Sequence, residues 1–155
     1  MIQKLSLPVI LCIVISGATT PSVLASNLKI RTTAYTHTES DHVQYQNKNA
    51  MGTNLKYGSV RSAASDWSIF PLGTTFRIAG ESCLYEIDDY GSALVGKSTI
   101  DLYKPSRRAM NAWGVRNVNI EIVKWGSFEE SLDVLKSRTR YGHVRRMVAR
   151  IRQKL

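Results

Sequence analysis

The chain has 155 residues, 43% of them hydrophobic, and a formal net charge of +9. That length supports one domain with its own core and is too short for two. The positive surplus favours anionic partners, while the missing pattern of interleaved aromatic and basic residues argues against a nucleic-acid-binding sheet, so no nucleic-acid partner is expected.

The first 25 residues open on Lys4, continue through an apolar run from Leu5 to Ile15, and end in small and turn residues up to Ala25. This pattern predicts a secretory signal over 1–25. The apolar run falls short of the ~20 residues that a membrane span requires. The mature protein is therefore expected to be exported, to the periplasm or the cell wall. Its anionic partners would there be wall polymer, lipopolysaccharide or membrane headgroups. Beyond the signal, Cys83 is the sole cysteine. No internal disulfide or cysteine-rich metal site can be built from it. His37, His42 and His143 lack the paired spacing of a zinc site, so no metal is expected.

Residues 28–36 alternate loosely between apolar and polar and predict a strand. Residues 38–54 are polar and rich in Asn, Gln and Gly; they read as a long loop of the kind that often carries function. Short β-prone runs follow at 57–63, 75–78, 83–87, 99–102 and 118–125, punctuated by Gly80, Gly91, Gly96 and Gly114. Strands at this spacing suggest a small barrel or a sandwich. Residues 105–114 predict one short helix, opened by Pro105 or Ser106 and closed by Gly114, with Trp113 as a core or hinge residue. Ser127-Phe128-Glu129-Glu130 is a capping box and predicts a helix from there to about Lys136. After Tyr141-Gly142, Val144, Met147, Val148 and Ile151 recur at helical spacing, with Arg145, Arg146, Arg150, Arg152 and Lys154 between them. Such a helix either packs its apolar stripe on the domain or docks on an anionic membrane or wall polymer.

The residues with the most chemistry are aspartates. Asp88-Asp89-Tyr90-Gly91 is followed by Ile100-Asp101-Leu102-Tyr103, and Asp66 stands ahead of Phe70-Pro71-Leu72-Gly73-Thr74. On a strand, Asp101 points opposite to its apolar neighbours, into solvent or into a groove. Carboxyls at the ends of short strands suit acid/base work on a glycosidic bond. Asp66, Asp88 and Asp89 can equally be turn and cap residues, since Asp before Gly often is.

Several spaced motifs together tip this balance: Thr33-Ala34-Tyr35-Thr36, Gly52-Thr53 with Leu55-Lys56-Tyr57-Gly58, residues 64–74, 88–96 and 109–114, and the Ile100-Asp101-Leu102-Tyr103 segment. In this order they resemble the 3D (Asp-Asp-Asp) domain, which is similar to the catalytic domain of MltA-type lytic transglycosylases. The resemblance implies an all-β fold, a six-stranded double-psi β-barrel over 26–126 with a short helix, followed by a basic helical tail over 127–155. It implies peptidoglycan glycan strands as partner and cleavage of the MurNAc-GlcNAc bond with formation of 1,6-anhydromuramic acid. Asp101 would be the acid/base, Asp89 its catalytic support, Asp66 a supporting residue, and Tyr35 and Thr53 groove residues. No cofactor is implied. The other reading is an expansin-like module that holds wall glycan without cutting it. Trp67 departs from the family pattern, which has proline there, and Ser92 stands in place of a glycine. The chain also lacks the large second domain of the MltA-type enzymes, so a shallow, open site is expected.

Overall fold

The computed structural model describes residues 27–40 and 42–155, and the expected signal at 1–25 lies outside them. Six strands, β1 (Asn27–Tyr35), β2 (Val60–Ala64), β3 (Thr75–Ile78), β4 (Leu84–Asp89), β5 (Thr99–Tyr103) and β6 (Arg116–Lys124), with short 3-10 turns before β2 and β5, precede most of the helix. They pair in the order β1-β5-β2-β4-β3-β6, and β6 returns antiparallel to β1, which closes the sheet. The β1–β5 and β2–β4 pairs are parallel, the others antiparallel. Closure removes the sheet edges, and of the two architectures open to the sequence it selects the barrel.

Sequence and structure differ most at the start of β2. Residues 57–59 read as strand, yet the chain here folds back on itself: the Ser62 N–H donates to the Lys56 carbonyl at 3.0 Å and Gly58 N–H to Val60 O at 3.1 Å. The aromatic and polar residues of 57–59 suit a turn as well as a strand. Helix α1 (Arg107–Trp113) follows its signals, with Ser106 Oγ accepting the Ala109 N–H and Gly114 at φ +63° ending it.

Helix α2 (Phe128–Lys136) starts where the capping box predicts, with Ser127 Oγ accepting the Glu130 N–H at 3.0 Å. The reciprocal half of the box is different. The Ser127 hydroxyl donates to Glu129 Oε2, and its N–H goes to Leu72 O at 3.0 Å, which ties the helix to the 71–74 turn. The Ser131 hydroxyl strengthens this suture by accepting the Leu72 N–H at 2.9 Å.

The barrel interior holds Phe76, Tyr85, Ile87, Ile100, Leu102 and Ile120, and the same apolar cluster continues into Leu135 of α2 and Val144, Met147, Val148 and Ile151 of α3 (Gly142–Arg152). The predicted apolar stripe is thus packed against the domain. At roughly 2 kcal/mol per buried aliphatic side chain, these residues contribute on the order of 10 kcal/mol before entropy is charged. No helix among the described residues is long and apolar enough to cross a membrane.

Candidate functional site

An irregularity in β4 builds the site. Ala63 pairs with Ile87, but the next residue, Ala64, pairs with Asp89, so Asp88 is an extra residue on β4. Such a bulge re-aims the side chains that follow it. On its other edge Ala64 pairs with Asp101, which in turn pairs with Thr33 of β1. Side-by-side residues share a face. Thr33, Asp101, Ala64 and Asp89 therefore form one row across four strands. Strand spacing puts the two aspartate backbones about 10 Å apart, with only the Ala64 methyl between them.

The two carboxyls have different surroundings. Thr33 Oγ1 donates to Asp101 Oδ1 at 2.6 Å, which sets the rotation of a half-buried side chain. Asp89 is buried, at 7% exposure. It accepts the Tyr35 hydroxyl at 3.1 Å and the N–H groups of Ala50 and Tyr90 at 3.1 and 2.9 Å. Burial pushes its carboxyl up to about 7, although these three donors favour the charged form. Burial, and then the charges of Asp89 and Asp88, hold the Tyr35 phenol well above its usual range, so it stays a donor. The extra residue Asp88 accepts Ser62 Oγ at 2.7 Å and Asn49 Nδ2 at 2.9 Å and faces Lys56 at 3.5 Å. Its burial outweighs these partners and raises its carboxyl too.

Asp89 and Asp101 lie in a cleft of about 770 Å³, a size suited to a small ligand or part of a polymer. Ala34 and Ala64 line it beside them; His42, Tyr45 and Asn49 line it from the 38–54 loop, Arg138 and Tyr141 from the α2–α3 connection, and His143 from the first turn of the helix that follows.

Residues 61–124 match the family model of the 3D domain. Over these residues the chain is similar to the 3D domain. This bears out the resemblance read from the motifs, and the match spans β2 to β6 with all three family aspartates. No curated protein matches the chain. Tyr35, the 38–54 loop and the α2–α3 connection lie outside the matched segment, although they line the same cleft.

Asp66, the first of the three aspartates, is fully buried away from that lining. Its Oδ1 accepts the Ser68 N–H and hydroxyl at 2.8 and 2.6 Å, while Oδ2 accepts the Gly96 N–H at 2.6 Å and Arg150 at 3.2 Å. It joins the turn after β2, the loop before β5 and α3. Tyr35 does line the cleft, with its hydroxyl engaged by Asp89. Thr53 is not among the lining residues; its N–H and hydroxyl meet Asn49 Oδ1, both at 3.1 Å. It thereby holds the Asn49 side chain that reaches Asp88. Trp67, the departure from the family pattern, is fully buried and donates its indole N–H to the Asp89 carbonyl at 2.8 Å. It secures the strand end that carries Asp89.

Sequence reasoning missed one wall. Arg138 Nη2 donates to the Ala50 carbonyl at 2.6 Å, and Nη1 reaches Tyr90 Oη at 3.3 Å. The Ala50 peptide is thus held between Arg138 and Asp89, and the α2–α3 connection gives depth to a site expected to be shallow. The arginine content of 138–146 was visible as charge, but nothing local distinguished a cleft wall from a solvated turn.

Proposed function

We propose that the protein is a peptidoglycan lytic transglycosylase in which Asp101 is the acid/base and Asp89 the supporting carboxyl, on a six-stranded barrel of the double-psi type. The observation that carries this reading is the row in which Asp101 and Asp89 flank Ala64 on the floor of one cleft. The 3D-domain match supports a cell-wall glycan as substrate. The leader at 1–25, the barrel over 26–126 and the helical segment over 127–155 would make one exported unit.

Protonated Asp101 gives its proton to the oxygen between MurNAc and GlcNAc as the C1–O bond breaks. Positive charge then develops on the MurNAc ring, and Asp89 in its ionised form, which prevails above about pH 7, stabilises it electrostatically. The Asp101 carboxylate next takes the proton of the C6 hydroxyl of the same sugar, whose oxygen closes on C1. This restores the acid and leaves a 1,6-anhydro ring, without water. The internal hydroxyl is already in place, so proximity does the work of a second nucleophilic carboxylate. Thr33 keeps the Asp101 carboxyl oriented, and Tyr35 with the Ala50 and Tyr90 N–H groups fixes Asp89.

Purified sacculi incubated with the protein should release 1,6-anhydromuropeptides, and Asp101→Asn should abolish the release while the melting transition is kept. Unchanged release by the variant would remove Asp101 from the chemistry. Binding to sacculi with no anhydro product from the native chain would favour the expansin-like module, and reducing-end products would indicate a hydrolase.

A further inference from the structure

Two chains of aromatic rings lead out of the cleft floor. On one side Tyr35 meets His42 at 5.6 Å between ring centroids, and His42 meets Tyr45 at 5.9 Å. On the other, buried Trp67 meets Tyr90 at 5.0 Å, Tyr90 meets His143 at 6.1 Å, and His143 stacks on Tyr141 at 5.7 Å and 26°. Each chain ends in an exposed tyrosine at the cleft: Tyr45 is 53% and Tyr141 41% exposed. A half-buried histidine, itself packed towards a buried ring, backs each exposed tyrosine and reduces the rotamer freedom left for a ligand to remove.

The mouth between them is basic. Arg140 lies over the Tyr141 ring at 4.7 Å and donates to its hydroxyl at 2.7 Å, while Lys48 stands exposed on the loop side. Arg138, deeper in, is engaged with Ala50 and Tyr90. Acidic groups on the floor and cations at the mouth suit a ligand that meets the acids with its reacting bond and the cations with its substituents.

We propose that Tyr45, Tyr141 and Arg140 form a binding subsite for a sugar ring of a carboxylated glycan, with the ring packed against Tyr45 and the exposed edge of Tyr141 and the carboxylate paired with Arg140. This rests on the glycan reading above and extends it to residues outside the matched 3D segment. The α2–α3 connection is then a specificity wall and sets the preference for an acidic strand over a neutral one.

The test uses the full chain carrying Asp101→Asn, so that strands stay intact, and measures binding of two probes by calorimetry. One is a peptide-free glycan strand with muramic carboxylates, the other a neutral N-acetylglucosamine oligomer. Tyr141→Ala or Tyr45→Ala should weaken both probes by about tenfold. Arg140→Gln should weaken only the carboxylated strand, by about fivefold. All three side chains are exposed, and an unchanged melting transition shows that the fold is kept. Strand binding unaltered in the tyrosine variants, equal losses on both probes for Arg140→Gln, or no strand binding by the Asp101→Asn parent would each overturn the subsite. Because binding is read without Asp101, absence of anhydro product from the native chain would defeat the transglycosylase reading and leave the subsite standing.

Discussion

Asp89 is the residue at which burial and hydrogen bonding oppose each other most directly. Its carboxyl is pushed up to about 7, while in the unfolded chain it titrates near an ordinary aspartate at about 3.9. Between those values the folded state holds a proton that the unfolded state has lost, so this group's contribution to stability falls as pH rises and levels off above about 7. Asparagine keeps the neutral shape and removes the slope. The stability of Asp89→Asn relative to the native chain should therefore improve by roughly 2–4 kcal/mol between pH 4 and pH 8. Urea unfolding at both pH values measures it, and a flat difference would mean that Asp89 is ionised throughout. Sequence placed Asp101 on a strand and Asp89 just past the end of one, but it could not assign their different settings. Those depend on Tyr35 and Ala50, which lie far away in the chain.

At the scale of elements, the junction of β6 and α2 is the tightest point. A Cβ on Gly126 would stand 2.0 Å from Leu72 O and 2.5 Å from Thr74 N, both backbone atoms with little room to yield. Gly126→Ala should cost roughly 3 kcal/mol or more, seen as a large drop in melting temperature. A loss under about 0.5 kcal/mol would show that the junction can relax. This close approach lets the 71–74 turn receive the Ser127 N–H and give its own Leu72 N–H to Ser131, so the helix is set at one angle on the barrel. The strands and helices themselves were legible because period and turn residues are local properties. The bulge at Asp88 was not, since an extra residue on one strand is defined only by its partner.

For the molecule as a whole, the helical segment is as much part of the core as the strands. Leu135, Val144, Met147 and Ile151 are fully buried in the cluster that also holds Ile87 and Ile120. A chain ending before residue 127 should lose its cooperative unfolding transition, and Ile151→Ala alone should cost about 2–5 kcal/mol. A truncated barrel with an undiminished melting temperature would show that the strands fold without the helices. The sequence by itself determined the element types, the capping serines, the amphipathic stripe of α3 and the 3D-domain motifs, because each is written in spacing along the chain. Only the tertiary structure decided that β6 closes onto β1, that Asp101 and Asp89 share one row beside Ala64, and that the α2–α3 connection walls their cleft. Those facts depend on pairing and packing between residues distant in sequence, where the burial that shifts a carboxyl is a property of the assembled fold.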